Sequence, residues 1–303
     1  MNTFLQLNTI FISMVMEAIP FVLVGVLVSG LIQMFLTERW IARVMPKNRL
    51  LSTMLGCGVG VLFPACECGI VPITRRLLLK GVPLHAGIAF MLTGPIINPV
   101  VLFATYIAFG NDWRMVGIRA GLAVAVAFFV AFILSFLYPK LPMRNEAPVA
   151  ASLEPGVEIP PPLDARTLGA KLGEVVSHAI EEFFSVGKYL VIGAFLAASM
   201  QTFVPTSTLL HLGSDPLRSS LVMIALAFVM SLCSEADAFI ASSFRSSFTV
   251  GSLSAFLVFG PMIDIKNTLM LLATFRARFV AVLIGLVVVF TLAGSLLVGR
   301  LFG

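Results

Sequence analysis

The stretch PACECGIVP, residues 64–72, sets two cysteines around a glutamate between two prolines, inside an otherwise apolar run. A second stretch, CSEAD at residues 233–237, again joins a cysteine to carboxylates in the other half of the chain. The interval from Cys66 to Pro95 is 29 positions, and that from Cys233 to Pro261 is 28. This near-constant interval predicts a duplicated unit. Charged and helix-breaking residues inside apolar segments are typical of transport pathways.

The composition predicts an all-α polytopic membrane protein. Of the 303 residues, 59% are hydrophobic and only 12% are charged, whereas soluble domains carry about 25% charged residues. The net charge of +5 does not indicate nucleic-acid binding, because Lys and Arg cluster in short segments between apolar runs, where they set topology. The lipid bilayer is therefore the expected surrounding of this chain.

The apolar runs divide the chain into two related halves joined by a linker. We predict an N-terminal transmembrane repeat at 1–138, a Pro-rich cytoplasmic linker at 139–177 and a C-terminal transmembrane repeat at 178–303. About eight membrane segments are expected, judged against the ~20 residues that one crossing needs. Their predicted bounds are 9–36, 51–73, 82–109, 115–138, 178–204, 217–240, 252–275 and 279–302.

Two topologies fit these segments. In the first, all eight cross the membrane. In the second, 51–80 and 218–247 are re-entrant hairpins, and each half has three full crossings. Basic residues lie on both flanks of the second segment, at 39–49 and at 75–80. The positive-inside rule favours the hairpin, which returns both clusters to the cytoplasm. An odd number of crossings in each half would make the halves inverted repeats.

The cysteine pair of the first stretch predicts a compact soft site. Thiolates select ions such as Cu(I), Zn(II) or trivalent arsenic, so Cys66 and Cys68 are candidate metal ligands, although two cysteines alone do not close a metal site. A third ligand would come from Cys233 or Glu235. The structural alternative is a tight bend in which Glu67 pairs with Arg75 or Arg76.

The remaining motifs supply carboxylates and helix breaks. Glu235 and Asp237 are costly to bury and could carry protons, unless they lie at the membrane interface or pair with Arg245. The motifs GPIINP at 94–99 and GPMIDIK at 260–266 place Asn98 and Asp264 at equivalent positions, and Asp264 could pair with Lys266. The predicted helix-breaking residues are Pro64, Pro72, Gly94, Pro95, Pro99, Gly260 and Pro261.

No phosphate-binding glycine loop, Ser/His/Asp arrangement or His-Glu-x-x-His helix is present in the sequence. We therefore predict no enzyme activity and no cofactor. The three histidines are isolated and have no metal-binding spacing.

Together, residues 64–72, 94–99, 233–241 and 260–266 resemble the predicted bacterial permease family that includes the trivalent organoarsenical efflux permeases. The resemblance covers nearly the whole chain outside the linker. It implies a multi-pass protein of the bacterial cytoplasmic membrane, and it implies a second membrane subunit for some members. Cys66 and Cys68 match the paired-cysteine motif of the family. Glu67 departs from it, because a small or polar residue such as Ser is expected there, and this argues against an arsenical cargo.

These observations predict a permease that moves a small thiophilic solute, metal or metalloid by alternating access, with proton coupling. The alternative is a non-transporting scaffold subunit of a two-component complex. A second membrane subunit or a homo-oligomer is the expected partner. The predicted substrate-binding or pathway residues are Cys66, Glu67, Cys68, Gly69, Asn98, Cys233, Glu235, Asp237, Asp264 and Lys266.

Overall fold

The computed structural model describes residues 2–35, 45–46, 48–62, 66–139, 141–143, 168–203, 215–245 and 247–302. Twelve helices occupy these residues, and they confirm the all-helical class. Their bounds are α1 Asn2–Phe35, α2 Arg49–Leu62, α3 Glu67–Leu79, α4 Leu84–Ile97, α5 Pro99–Ala108, α6 Trp113–Leu137, α7 Leu168–Phe203, α8 Pro216–Met230, α9 Ser234–Ser243, α10 Val250–Met262, α11 Ile265–Thr274 and α12 Ala277–Phe302.

Five stretches of the described residues are helical, long enough and apolar enough to cross a membrane, rather than the predicted eight. Two of them, Leu84–Ala108 and Val250–Thr274, are pairs of helices that meet at a break. The predicted segment 51–73 is divided between α2 and α3, which have 14 and 13 residues. At 1.5 Å per residue each is about 20 Å long, short of a ~30 Å hydrocarbon core.

The packing of α2 against α4 gives the direction of the chain. Gly56 of α2 lies against Ala86 of α4, and Gly60 lies against Thr93. Residue numbers rise together along both helices, so α2 and α4 run parallel. Thr93 reinforces the contact, because its hydroxyl donates a 3.4 Å hydrogen bond to the carbonyl of Cys57.

The return helix α3 runs the other way. Gly87 of α4 lies against Leu78 of α3, and Gly94 lies against Ile70. Residue numbers fall along α3 as they rise along α4, so α3 is antiparallel to α4 and therefore to α2. The chain reverses between Leu62 and Glu67. Pro64, which we predicted to break the helix here, lies outside the described residues.

The helix contacts of the first half recur in the second. The pairs α2–α4, α3–α4, α4–α6 and α2–α6 pack together, and so do the corresponding pairs α8–α10, α9–α10, α10–α12 and α8–α12. The corresponding helices α6 and α12 are antiparallel neighbours, since Leu122 lies against Gly294 and Phe129 stacks on Phe290. The contacts of α1 and α7 do not follow this correspondence, because α1 packs on α3 whereas α7 packs on α11.

The start of α2 and the end of α9 lie at opposite ends of α6. At the start of α2, Arg49 Nη1 donates to the carbonyl of Ser135 near the end of α6. Just after α9, Arg245 Nη1 donates to the carbonyl of Phe109, which precedes α6. Because α6 has 25 residues, these two contacts lie about 35 Å apart along the helix axis.

Most of the predicted helix-breaking residues lie inside helices, which corrects their assignment. Pro72 lies inside α3, Pro95 inside α4 and Pro261 inside α10. Gly94 and Gly260 precede the last two prolines in the same helices. A proline lacks an N–H and weakens the preceding turn. Helix α3 nevertheless continues to Leu79, and α4 and α10 continue for two residues and one residue beyond their prolines. The breaks fall at Asn98 and at 263–264, and Pro99, predicted to break a helix, is the first residue of α5.

In the predicted linker 139–177, the structure describes residues 139, 141–143 and 168–177. Arg276 binds the first part of the linker, because its N–H donates to the carbonyl of Pro142 at 2.9 Å and its Nε donates to the carbonyl of Met143 at 3.2 Å. At the other end, α7 already begins at Leu168 and continues through the predicted fifth span. The intervening positions 144–167 lie outside the described residues.

Candidate functional site

Three helix starts and one long helix meet at a small cavity between the two halves of the chain, which we call the central cavity. The start of α3 contributes Cys66, Glu67 and Cys68, the start of α9 contributes Cys233, and the start of α11 contributes Lys266. Helix α1 also lines the cavity, with Met14, Glu17, Ala18 and Phe21, of which Glu17 and Phe21 are exposed. Its volume is about 10 Å³, the room of a single water molecule.

Lys266 lies between two buried carboxylates at this cavity. Its Nζ is 3.8 Å from Asp264 Oδ2 and 4.0 Å from Glu67 Oε1. All three side chains are at least 94% buried. The predicted pair of Asp264 and Lys266 is therefore present, and Glu67 joins it from the other half of the chain. Such a desolvated cluster depends on mutual compensation, because an unpaired charge at this depth is costly.

Two serines complete the hydrogen bonds of the carboxylates. Ser231 Oγ donates to Asp264 Oδ2 at 2.6 Å, and Ser234 Oγ donates to Glu67 Oε2 at 3.4 Å. Ser231 ends α8 with a left-handed backbone, at φ 48° and ψ 46°. This conformation is uncommon for a residue other than glycine, and it turns the chain into the break before α9.

Asn98 and Asp264 are helix caps at the two equivalent breaks. Asn98 Oδ1 accepts a 2.9 Å bond from the N–H of Val101, and Asp264 Oδ1 accepts a 2.6 Å bond from the N–H of Asn267. Each side chain thus satisfies an N–H that the first turn of its helix leaves free. Asp264 also belongs to the charge cluster. Asn98, a predicted pathway residue, does not line the central cavity. Its position in the structure is that of a helix cap.

The cysteines lie together without forming a closed metal site. Cys66 and Cys233 occupy the same position, immediately before α3 and α9, with closely similar backbone angles. Cys66 and Cys68 both line the cavity, and all four cysteines are free thiols. Within the part of the chain that the structure describes, no group of three His, Cys, Asp or Glu side chains is arranged to hold a metal ion.

A buried arginine that the sequence motifs did not single out lies behind this site. Arg119 of α6 is fully buried. Its Nη1 donates to Thr105 Oγ1 at 2.6 Å, and its Nη2 donates to the carbonyl of Ser234 at 2.9 Å. Asp237 is close enough to interact with it electrostatically. The sequence could have indicated Arg119, because it is the one arginine inside the apolar run 115–138 and charged residues inside membrane segments are usually functional.

The other predicted site residues have different surroundings. Asp237 is buried on α9 beside Gly260, and its Oδ2 has no hydrogen-bond partner. Glu235 is half-buried, and neither it nor Asp237 lines the cavity. Gly69 packs α3 onto α1, because a Cβ there would lie 2.9 Å from the carbonyl oxygen of Phe21. Glu17 lines the cavity, although it was not among the predicted site residues.

Comparisons with known proteins agree with a membrane transport role. A family model described as a predicted permease matches residues 3–300. The chain is 62% identical to the UPF0718 protein YcgR of Bacillus subtilis, over 98% of each chain. It is 42% identical to a putative two-component membrane permease complex subunit of Streptococcus mutans, over 94% of this chain and 92% of that one. No solved structure matches the chain.

Proposed function

Because the chain belongs to the family of predicted permeases, we propose that its central cavity is part of the pathway by which a small solute crosses the membrane. One observation carries the proposal: the starts of α3, α9 and α11 bring thiols, carboxylates and an ammonium group together in the interior. Broken helices with polar ends at mid-depth are the usual construction of substrate sites in transporters. Polar groups at this depth are expensive and persist where they serve transport.

The two halves act, in this proposal, as inverted repeats. Three features support the idea: the helix contacts that recur between the halves, the antiparallel arrangement of α6 and α12, and the location of Arg49 and Arg245 at opposite ends of α6. The pairs α2–α3 and α8–α9 would then enter the membrane as hairpins from opposite faces. Movement of one half against the other would expose the cavity to each side alternately.

The cargo is a small solute with an affinity for thiols. Cys66, Cys68 and Cys233 are its candidate ligands, as soft donors that line the cavity. Glu67 is the buried acid nearest to these thiols in sequence, and Asp237 is a second buried acid on α9. These two carboxylates, with half-buried Glu235, are the candidate groups for proton coupling.

A second membrane subunit is the proposed partner. The support is the printed name of the Streptococcus mutans relative, a subunit of a two-component membrane permease complex. The same name favours a second candidate function, in which this chain only anchors the transporting subunit. In that case, Asp237→Asn and Glu235→Gln would leave flux unchanged, while deletion of the partner would abolish it.

The pathway can be tested without knowing the cargo, by the reactivity of its cysteines. Four proteins each keep one native cysteine, at 57, 66, 68 or 233, and carry Ser at the other three positions. Sealed vesicles of each orientation are treated with a charged thiol reagent that does not cross the membrane. We expect Cys66, Cys68 and Cys233 to react from an aqueous side, and from both sides if access alternates.

Cys57 is the matched control, because it is also a buried cysteine of the first half but lies outside the cavity. It should react slowly from either side. If Cys66, Cys68 and Cys233 react no faster than Cys57, water does not reach the cavity and the pathway proposal fails.

A further inference from the structure

We propose that the cargo is a cation, and that Lys266 is an internal substitute for it. In the conformation described here, the ammonium group of Lys266 neutralises the carboxylates that would otherwise face the bound cation. The proposal rests on the proposed function, because it assigns a substrate class to the same cavity. It makes Lys266 a competitor of the cargo rather than one of its ligands.

The first support is the geometry around Lys266 Nζ. Its distances of 3.8 Å to Asp264 and 4.0 Å to Glu67 exceed a direct hydrogen bond. Lys266 is also the second residue of α11, where the partial positive charge of the helix N-terminus disfavours a cation. A lysine held loosely between two acids, at an unfavourable end of a helix, is suited to being displaced.

The second support is the balance of buried charge. Among the described residues of this region, three fully buried carboxylates, on Glu67, Asp237 and Asp264, face two buried bases, Lys266 and Arg119. Glu17 also lines the cavity and adds a carboxylate outside this buried set, because its side chain is exposed. One carboxylate oxygen of this set, Asp237 Oδ2, has no hydrogen-bond partner. A pathway with an excess of acids attracts cations and repels anions.

The third support is the size and chemistry of the cavity. A volume of about 10 Å³ accommodates a single ion or water molecule rather than an organic solute. Its sulfur donors, Cys66, Cys68 and Cys233, favour a soft ion such as Cu(I) or Zn(II). Because Lys266 now separates Glu67 from Asp264, departure of its ammonium group would free both carboxylates and enlarge the space beside the thiols.

The sign of the effect of removing Lys266 tests the proposal. Purified wild type, Lys266→Met and Lys266→Arg proteins are titrated with Cu(I) and with Zn(II), and bound metal is counted by mass spectrometry. We expect Lys266→Met to bind one of these ions about tenfold more tightly or better, because a positive charge ~4 Å from the site has been removed. Lys266→Arg keeps the charge and should show no such gain.

Two further variants guard against effects on folding and surface charge. Lys188→Met removes an exposed lysine that lies over the ring of Tyr189 on α7, and its metal affinity should equal that of the wild type. Lys266→Met/Glu67→Gln restores the charge balance and should lose the gain. If Lys266→Met alone is unstable, the bound ion should raise its Tm more than that of the wild type.

The proposal is overturned if Lys266→Met binds both ions no better than the wild type, or more weakly. Weaker binding would mean that Lys266 supports the structure of the cation site and does not compete with the cation. This failure is distinct from failure of the pathway, because the cysteine reactivity described above does not depend on the charge of the cargo.

Discussion

At the scale of single residues, Arg119 is the strongest test of the buried charge cluster. We expect Arg119→Met to lower the free energy of unfolding by about 3–5 kcal/mol, because removing one partner leaves a buried charge uncompensated. The variant loses both hydrogen bonds of the guanidinium group and leaves Asp237 without its nearby base. Thermal unfolding in detergent, followed by circular dichroism, measures the loss.

Arg114 supplies the control for this experiment. It belongs to the same helix but is exposed, so Arg114→Met should change Tm little. The double variant Arg119→Met/Asp237→Asn should recover part of the loss, because it removes the charge that remains. Equal Tm values for Arg114→Met and Arg119→Met would contradict the assigned role of Arg119.

Site residues could be predicted where polar groups interrupt apolar sequence. Cys66, Glu67, Cys233 and Lys266 stand out for this reason, and the structure brings them together. Their hydrogen-bond partners could not be predicted, because serines such as Ser231 and Ser234 are common in membrane helices. Only the folded structure shows that these two donate to Asp264 and Glu67. Tertiary packing, rather than local spacing, determines those contacts.

At the scale of helices, the contact between α1 and α3 depends on a pair of glycines. A Cβ at Gly25 would lie 2.7 Å from the carbonyl oxygen of Gly69, and neither backbone can yield easily. We expect Gly25→Ala to cost about 1–3 kcal/mol through overpacking, read as a lower Tm. Gly58→Ala is the control, because a Cβ there meets nothing within 4 Å and alanine favours the helix. A higher Tm for Gly25→Ala would exclude the close approach.

The cap of α5 gives a second helix-scale prediction. Asn98→Ala removes the acceptor for the N–H of Val101 and should cost about 1 kcal/mol, whereas Asn98→Ser keeps a good capping side chain and should cost less. Unfolding in detergent compares the two. Equal losses of stability in the two variants would show that Asn98 does not stabilise the protein through its capping hydrogen bond.

The positions of the helix breaks show where sequence reasoning stops. The Gly-Pro motifs lie close to two breaks although their residues are still helical, and proline removes one hydrogen bond of the helix. They did not fix the exact residue. That residue is set by Asn98 and Asp264, whose side chains cap the next helix. Each cap lies three residues after the proline of its motif, which is less than one helical turn.

At the scale of the whole molecule, hydropathy and repeated motifs predicted a helical membrane protein in two related parts. The helical class is confirmed, and membership of the permease family agrees with the membrane assignment. Inverted repeats remain a proposal. The number of crossings was not predictable from apolar length alone, because a run such as 51–73 reads as one span and yet contains a reversal. The basic residues on both flanks of this run favour the reversal, and the packing of α2 and α3 on α4 shows it.

The reversal predicts which sides of the membrane the connections face. In a background without native cysteines, Asn48→Cys and Lys80→Cys should be labelled from one side by an impermeant maleimide, and Ser247→Cys from the other. The reason is that α2 starts and α3 ends at the same end of α4, whereas Arg245 lies at the opposite end of α6. Eight plain crossings would instead put Lys80→Cys and Ser247→Cys on the same side, and that labelling pattern would refute both the hairpins and the inverted halves.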